Sequence, residues 1–118
     1  MPMKTVPIEL DKPRRLRFDV NALADAEQSL GMGLGKILGE EASFWLIRTL
    51  LWAGLKWEDR RLTPEKAGAI LTEYLSEKDG DLEAVATTVM EAVMASGLFG
   101  EVGEDSEDDP NAEAEAAK

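Results

Sequence analysis

The sequence contains neither cysteine nor histidine among its 118 residues. Without histidine it lacks the side chain that ordinarily exchanges protons near neutral pH, and without cysteine it lacks thiol nucleophiles and soft metal ligands. Disulfide bonds are excluded as well. Carboxylates are plentiful, but no two of them stand out as an acid/base couple. We therefore predict that the protein is not an enzyme.

Long apolar segments are also missing. The N-terminus, residues 1–7, has no apolar run of the length that a signal peptide needs. The most apolar stretch, residues 43–55, is shorter than the ~20 residues of a membrane span and carries Arg48 in its middle. The sequence therefore predicts a cytoplasmic protein that does not contact a membrane.

Acidic residues dominate the charge and are concentrated at one end. The net charge is −11; residues 101–118 hold eight acids and one base, so they contribute −7 and residues 1–100 contribute −4. After Gly100 aliphatic and aromatic side chains almost vanish, with Val102 as the exception. Such a segment cannot bury enough apolar surface to offset its ordering entropy. We predict one domain, residues 1–100, followed by a disordered acidic tail, residues 101–118.

The fold is predicted to be mainly α, with a small β-hairpin at the start. A first strand over residues 5–10 is followed by an Asp-Lys-Pro turn. Over residues 14–20, Leu16, Phe18 and Val20 alternate with charged residues, which is typical of a strand with one buried face. A compact bundle of about four to five helices is predicted to follow.

Capping residues mark where these helices begin and end. Gly31 is a typical helix stop, and Thr63-Pro64 is a typical helix start. Leu98 and Phe99 are predicted to fold back onto the core. The first predicted helix begins at a cap, Asp19 or Asn21, and ends at about Leu30, and a short helical turn over residues 34–38 follows it. Three further helices are predicted: one over residues 43–55, one from Pro64 to a stop at residues 78–81, and one from Leu82 to about Ser96.

Residues 43–55 are predicted to form a helix that is apolar on nearly every side. Phe44, Ile47 and Leu51 form one stripe at helical spacing, with Leu46, Leu50 and Ala53 extending it, while Trp45, Thr49 and Trp52 form a second line. A helix of this kind is either central to its own fold or docked on another chain, and the pattern leaves both alternatives open.

The second line of this helix supplies the candidate binding surface. Tryptophan is enriched among binding hot spots, and methionine forms surfaces that adapt to varied partners. Core packing is the alternative role for each of these side chains. The predicted partner-binding residues are Trp45, Leu46, Thr49, Trp52, Met90 and Met94.

Metal, cofactor and nucleic-acid sites are not predicted. Residues 79–83 resemble the start of a calcium loop, but Ala84 and Met90 occupy the positions where that loop needs glycine and glutamate. Basic residues form two groups, on the second strand and after the apolar helix, yet the domain is mildly acidic, so solvated surfaces are favoured over nucleic-acid binding. A loose contact with the acidic tail is a third alternative. The two groups are Lys12, Arg14, Arg15 and Arg17, and Lys56, Arg60 and Arg61.

The order of several short segments resembles the small tail assembly chaperones of tailed bacteriophages and gene-transfer-agent particles. Together the segments cover roughly residues 14–75, and their specificity lies in their order and spacing. The acidic tail has no counterpart in this pattern. The matching segments are LRFDVNAL at 16–23, AE at 26–27, LGM at 30–32, LLWAGL at 50–55, ED at 58–59 and LTPEKAG at 62–68.

This resemblance implies a mostly helical, non-enzymatic protein of the host cell cytoplasm that needs no cofactor. Its expected partners are the helical, aggregation-prone tape measure protein and the tail tube protein, and self-association into a homo-oligomer is also expected. Two other functional classes stay open at this stage. One is a structural subunit of the virion tail or connector, and the other is a small regulatory DNA-binding module that uses the basic strand and the Thr63 helix.

Overall fold

The computed structural model describes residues 4–98, and it confirms a mainly helical fold that begins with a β-hairpin. The predicted disordered tail, residues 101–118, lies outside the described residues, as does Phe99. Within the described part, two strands precede five helices. These elements are β1 (Val6–Glu9), β2 (Pro13–Leu16), α1 (Val20–Leu30), α2 (Leu34–Gly39), α3 (Phe44–Leu55), α4 (Pro64–Glu77) and α5 (Leu82–Ala95).

The hairpin is shorter than its alternating pattern predicted. Strands β1 and β2 pair antiparallel, with Val6 opposite Leu16. Val20 was predicted to lie on the buried face of the second strand with Leu16 and Phe18, and this is wrong. Its side chain is 66% exposed, and Val20 is the first residue of α1. The physical reason lies at Asp19, whose carboxylate accepts a hydrogen bond from the Ala22 N–H at 2.8 Å and caps the helix. The chain therefore leaves the strand direction before Val20.

Local capping explains the other helix boundaries. The hydroxyls of Ser43 and Thr63 each accept a hydrogen bond from the N–H three residues on, and Asp81 caps α5. At Gly31 the backbone takes φ +70°, the left-handed conformation that ends α1. The predicted starts of α4 and α5 and the end of α1 are thus confirmed.

Helix α3 lies at the centre of the fold. It contacts α1, α4, α5 and β2. Most of its residues are buried, so the first alternative, a central helix, describes this part of the chain. Burial starts only at the third residue of the helix, so Phe44, on the same stripe as the buried Ile47 and Leu51, is 67% exposed. The buried residues are Leu46, Ile47, Thr49, Leu50, Leu51, Ala53, Gly54 and Leu55.

Gly54 allows the hairpin to approach α3 closely. The Arg17 N–H donates to the Gly54 carbonyl at 2.9 Å. A Cβ atom on Gly54 would lie 2.7 Å from Cζ of Phe18 and 2.9 Å from Cδ2 of Leu16, both of which are buried side chains. Ordinary carbon–carbon contacts are ~3.5–4.0 Å, so only glycine fits at this position without displacement.

Arg14 is buried on the same face of β2 as Leu16 and forms an ion pair with the half-buried Asp11. It was expected on a solvated strand face, but it is 8% exposed and donates two hydrogen bonds to Asp11, at 2.7 and 2.9 Å. These hydrogen bonds favour the ionised carboxylate and hold the pKa of Asp11 below its usual value. The same pair raises the pKa of Arg14.

The end of the described chain also departs from expectation. Leu98 was predicted to fold back onto the core, and this is wrong, since it is 44% exposed. Gly97 takes φ +73° directly after α5 and turns the backbone at that point. Consequently α5 ends in solvent rather than in a packed corner.

Candidate protein-binding groove

An open, mainly apolar groove lies between α5, the N-terminal half of α3 and the segment that joins α2 to α3. Its volume is about 690 Å³, within the ~300–1,000 Å³ that binding pockets occupy. Most of the side chains that line it carry no charge. They are Leu38, Ala42, Leu46, Ile47, Ala86, Thr87, Met90, Met94 and Ala95, together with the two acids Glu40 and Glu91.

Helix α5 forms one side of this groove because it has two neighbouring rows of apolar side chains, one that packs in the core and one that faces the groove. Its valines and Ala92 face the core and are buried. Ala86, Met90 and Met94 follow one another at four-residue spacing on a neighbouring line, and they face the groove. Within residues 4–98 this line is only partly covered: Ala86 and Met90 are half-buried against the core, and Met94 is 39% exposed.

Three of the six predicted binding residues meet in this groove. Leu46 comes from α3, and Met90 and Met94 come from α5. Leu46 is buried at the base, Met90 is half-buried, and Met94 is exposed. The structure therefore brings together residues that are more than 40 positions apart in the chain.

Thr49 and Trp52 lie outside the groove and are engaged within the chain. The buried Thr49 hydroxyl donates to the Trp45 carbonyl at 2.8 Å. The indole N–H of Trp52 donates to the Leu62 carbonyl at 3.2 Å, and the ammonium group of Lys56 lies 4.5 Å from the centre of the Trp52 ring. These contacts give Thr49 and Trp52 packing roles in the described structure.

Trp45 is the most accessible of the three tryptophans, with 51% of its surface exposed. It forms the first turn of α3 together with the exposed Phe44, and the next two residues, Leu46 and Ile47, line the groove. Phe44 also borders a smaller depression of about 400 Å³ between α3 and α4. The exposed aromatic rings of Phe44 and Trp45 therefore lie at the N-terminal end of α3, which is also the end that lines the groove.

Sequence reasoning missed several residues that shape this surface. Leu38 was assigned only to a short turn, and Glu40 was noted only as an acid that precedes a helix. Glu91 was given no role at all. The position of Glu91 directly after Met90 could have indicated that it borders the line of Ala86, Met90 and Met94 on α5. The sequence could not indicate that the segment before α3 lies opposite this line.

The basic residues of the hairpin and of the α3 C-terminus are largely paired with carboxylates. Arg15 donates to Glu58 at 2.6 Å, Arg17 lies 3.6 Å from Asp19, and Lys56 pairs with Asp25. The Trp57 ring lies beside the two arginines, with both guanidinium groups about 5 Å from its centre, and its N–H donates to the Arg15 carbonyl. These contacts attach the hairpin to the end of α3.

Within residues 4–98, no three acidic side chains are grouped so that they could hold a metal ion, and no helix has the length and apolarity needed to cross a bilayer. Neither a protein-family model, nor a curated protein, nor a solved structure matches this chain. The groove and the exposed first turn of α3 are therefore the observations on which a function can be based.

Proposed function

We propose that this protein is a non-enzymatic tail assembly chaperone of a tailed phage or a gene-transfer-agent particle. It holds a helical segment of the tape measure protein and helps to recruit tail tube subunits in the host cytoplasm. The observation that carries the proposal is the uncovered apolar groove formed by Leu46, Met90 and Met94. The resemblance of residues 14–75 to tail assembly chaperones supports the choice of client.

The physical basis is the burial of apolar surface. Apolar grooves on proteins can bind amphipathic helices by covering the apolar face of the helix. An amphipathic client helix that lies along α5 would place its apolar face against Met90 and Met94, and methionine side chains adapt to varied client sequences. A net charge of −11 opposes self-aggregation of the loaded complex.

Co-expression with the tape measure protein from the same gene cluster tests the proposal. We expect the wild-type chain to raise the soluble yield of the client and to co-purify with it. The double variant M90D/M94D introduces charge into the groove and should lose both effects. Val20→Asp is the matched control, since Val20 is an equally apolar, exposed side chain outside the groove. Circular dichroism verifies that each variant is folded.

Two results would contradict the proposal. Absence of any gain in client solubility with the wild-type chain would remove the chaperone role. Full activity of M90D/M94D would show that the groove is not the client site. Detection of the protein in purified particles would instead assign it to the virion as a tail or connector subunit.

A further inference from the structure

The groove carries negative charge along both of its long sides. On one side, Glu40 and Glu41 are exposed in the segment before α3. On the other side, Glu83 and Glu91 are exposed on α5, and Thr87 lies midway between them at four-residue spacing. Glu40 and Glu91 themselves line the groove. An apolar strip is thus bordered by carboxylates on two opposite elements.

Few cations belong to the elements on these two sides: Lys36 of α2, four residues before Glu40, is the exposed one. None of the residues that line the groove is a lysine or an arginine. Helix α5 has no basic residue, nor does any position between Asp79 and Leu98. Arg48 of α3 lies on the other side of that helix, in the depression that faces α4. The field at the groove is therefore set by exposed carboxylates.

This charge pattern disfavours two occupants from the protein itself. The acidic tail carries a net charge of −7 and would be repelled by the glutamates beside the groove. A second copy in a two-fold symmetric contact through the groove would bring the same patch against itself, so that carboxylates would face carboxylates. Neither occupant matches both the apolar strip and its acidic borders.

We infer that the groove accepts an amphipathic helix whose apolar stripe is flanked by lysine or arginine residues. This inference rests on the proposed function, because it specifies the client helix that the groove holds. Glu83 and Glu91 are eight residues apart on α5, which corresponds to roughly 12 Å along a helix at ~1.5 Å per residue. A client helix aligned with α5 would match them with two cations that are seven or eight residues apart.

Fluorescence anisotropy with labelled designed peptides tests the charge preference on the full chain. The first peptide has a leucine stripe flanked by lysines at this spacing, and the second has the same stripe flanked by glutamates. The third keeps the lysines but has alanines in place of the leucines, because the acidic tail attracts any basic peptide. We expect the lysine–leucine peptide to bind ~10-fold or more tightly than each of the other two at low salt.

Charge reversal locates the effect on the protein. The variant E83K/E91K should lower the affinity for the lysine–leucine peptide and raise that for the glutamate–leucine peptide. The matched control is E73K/E77K, which changes the net charge equally and reverses two exposed acids of α4 that do not line the groove. It should leave the preference intact. In about 0.5 M salt the preference should shrink, since exposed charges are then screened.

Several outcomes would overturn the inference. Equal binding of the two leucine peptides, or an equal effect of the control variant, would show that the groove does not select for charge. Light scattering of the full chain provides a further check: a dimer that M90D/M94D dissociates would identify a second copy as the occupant.

The two proposals can fail separately. If the tape measure protein is held through Met90 and Met94 while the peptides show no charge preference, only the inference about client charge is lost. If the lysine–leucine peptide binds in the groove but the tape measure protein does not co-purify, the phage role is lost and the partner chemistry stands.

Discussion

Replacement of Gly54 by alanine should destabilise the fold, although alanine is the better helix former. The added Cβ would lie 2.7 Å from Cζ of Phe18 and 2.9 Å from Cδ2 of Leu16, about 1 Å closer than a normal carbon contact. Phe18 is 1% exposed and Leu16 is fully buried, so neither side chain can swing into solvent. The hairpin must move instead, which strains the hydrogen bond from the Arg17 N–H to the Gly54 carbonyl.

The magnitude follows from two opposing contributions. Overpacking of a filled core costs ~1–3 kcal/mol. The gain in helix propensity on replacing glycine by alanine is up to ~1 kcal/mol. We therefore expect a net loss of about 1 kcal/mol in the free energy of unfolding. For a domain of this size the melting temperature falls by roughly 4–8 °C for each kcal/mol lost.

Urea denaturation followed by circular dichroism measures this loss. Gly35→Ala is the matched control, because Gly35 is also a helical glycine but has no atom within 4 Å of the position of an added Cβ. This control should be neutral or stabilising. If Gly54→Ala proves as stable as wild type, the close approach of the hairpin to α3 is refuted.

A double-mutant cycle identifies the side chain involved. Phe18→Leu alone should destabilise the fold by creating a cavity. In the presence of Gly54→Ala, the smaller leucine makes room for the new methyl group. The double variant should therefore be more stable than the sum of the two single effects predicts, by ~0.5–3 kcal/mol. Strict additivity would show that Phe18 does not oppose the methyl group.

Three further substitutions probe the ion pair and the tryptophans. Asp11→Asn should lower stability by ~1–3 kcal/mol near pH 7, because buried Arg14 loses its charged acceptor. Since the folded-state pKa of Asp11 is lowered, the ion pair contributes fully above about pH 4 and is lost as the pH falls through that lowered pKa. The gap between wild type and Asp11→Asn should therefore narrow in acid urea titrations, and a gap independent of pH would contradict the assignment. Trp45→Phe should remove most of the acrylamide-quenchable fluorescence and change stability by less than ~0.5 kcal/mol; persistent quenching would place the exposed indole elsewhere. Trp57→Phe should cost ~0.5–1.5 kcal/mol through loss of the hydrogen bond to the Arg15 carbonyl, and unchanged unfolding would show that this contact does not stabilise the hairpin.

Features that depend on neighbouring residues were predictable from the sequence. Asp19, Thr63 and Asp81 cap helices because their side-chain oxygens reach backbone N–H groups two or three residues away. Gly31 ends α1 because a left-handed residue is needed there. In α5 the four-residue spacing of Val85, Val89 and Val93 likewise places these buried valines on one face.

Where a specific side-chain contact competes with a general pattern, the outcome was harder to predict. The alternation at Leu16, Phe18 and Val20 predicted a continuous strand, but the cap at Asp19 turned the chain into a helix before Val20. The charge of Arg14 suggested solvent, yet its ion pair with Asp11 allows it to be buried. At Val20 the cap thus overrides the alternation, whereas Arg14 follows the alternation, on the buried face of β2 with Leu16, despite its charge.

The sequence by itself determined that the chain is mainly helical, where α1 ends and where α4 and α5 begin, and that α3 is apolar on almost every side. It also determined that α5 carries methionines beside its core-facing valines, since helical spacing alone sets that order. Only the tertiary structure decided which of these apolar lines is covered. Helix α3 is enclosed by four neighbouring elements beyond its first turn, whereas in the described structure the methionine line of α5 is left half-buried at Met90 and exposed at Met94. The physical reason is that burial depends on how elements pack together in space, and local periodicity does not specify that packing.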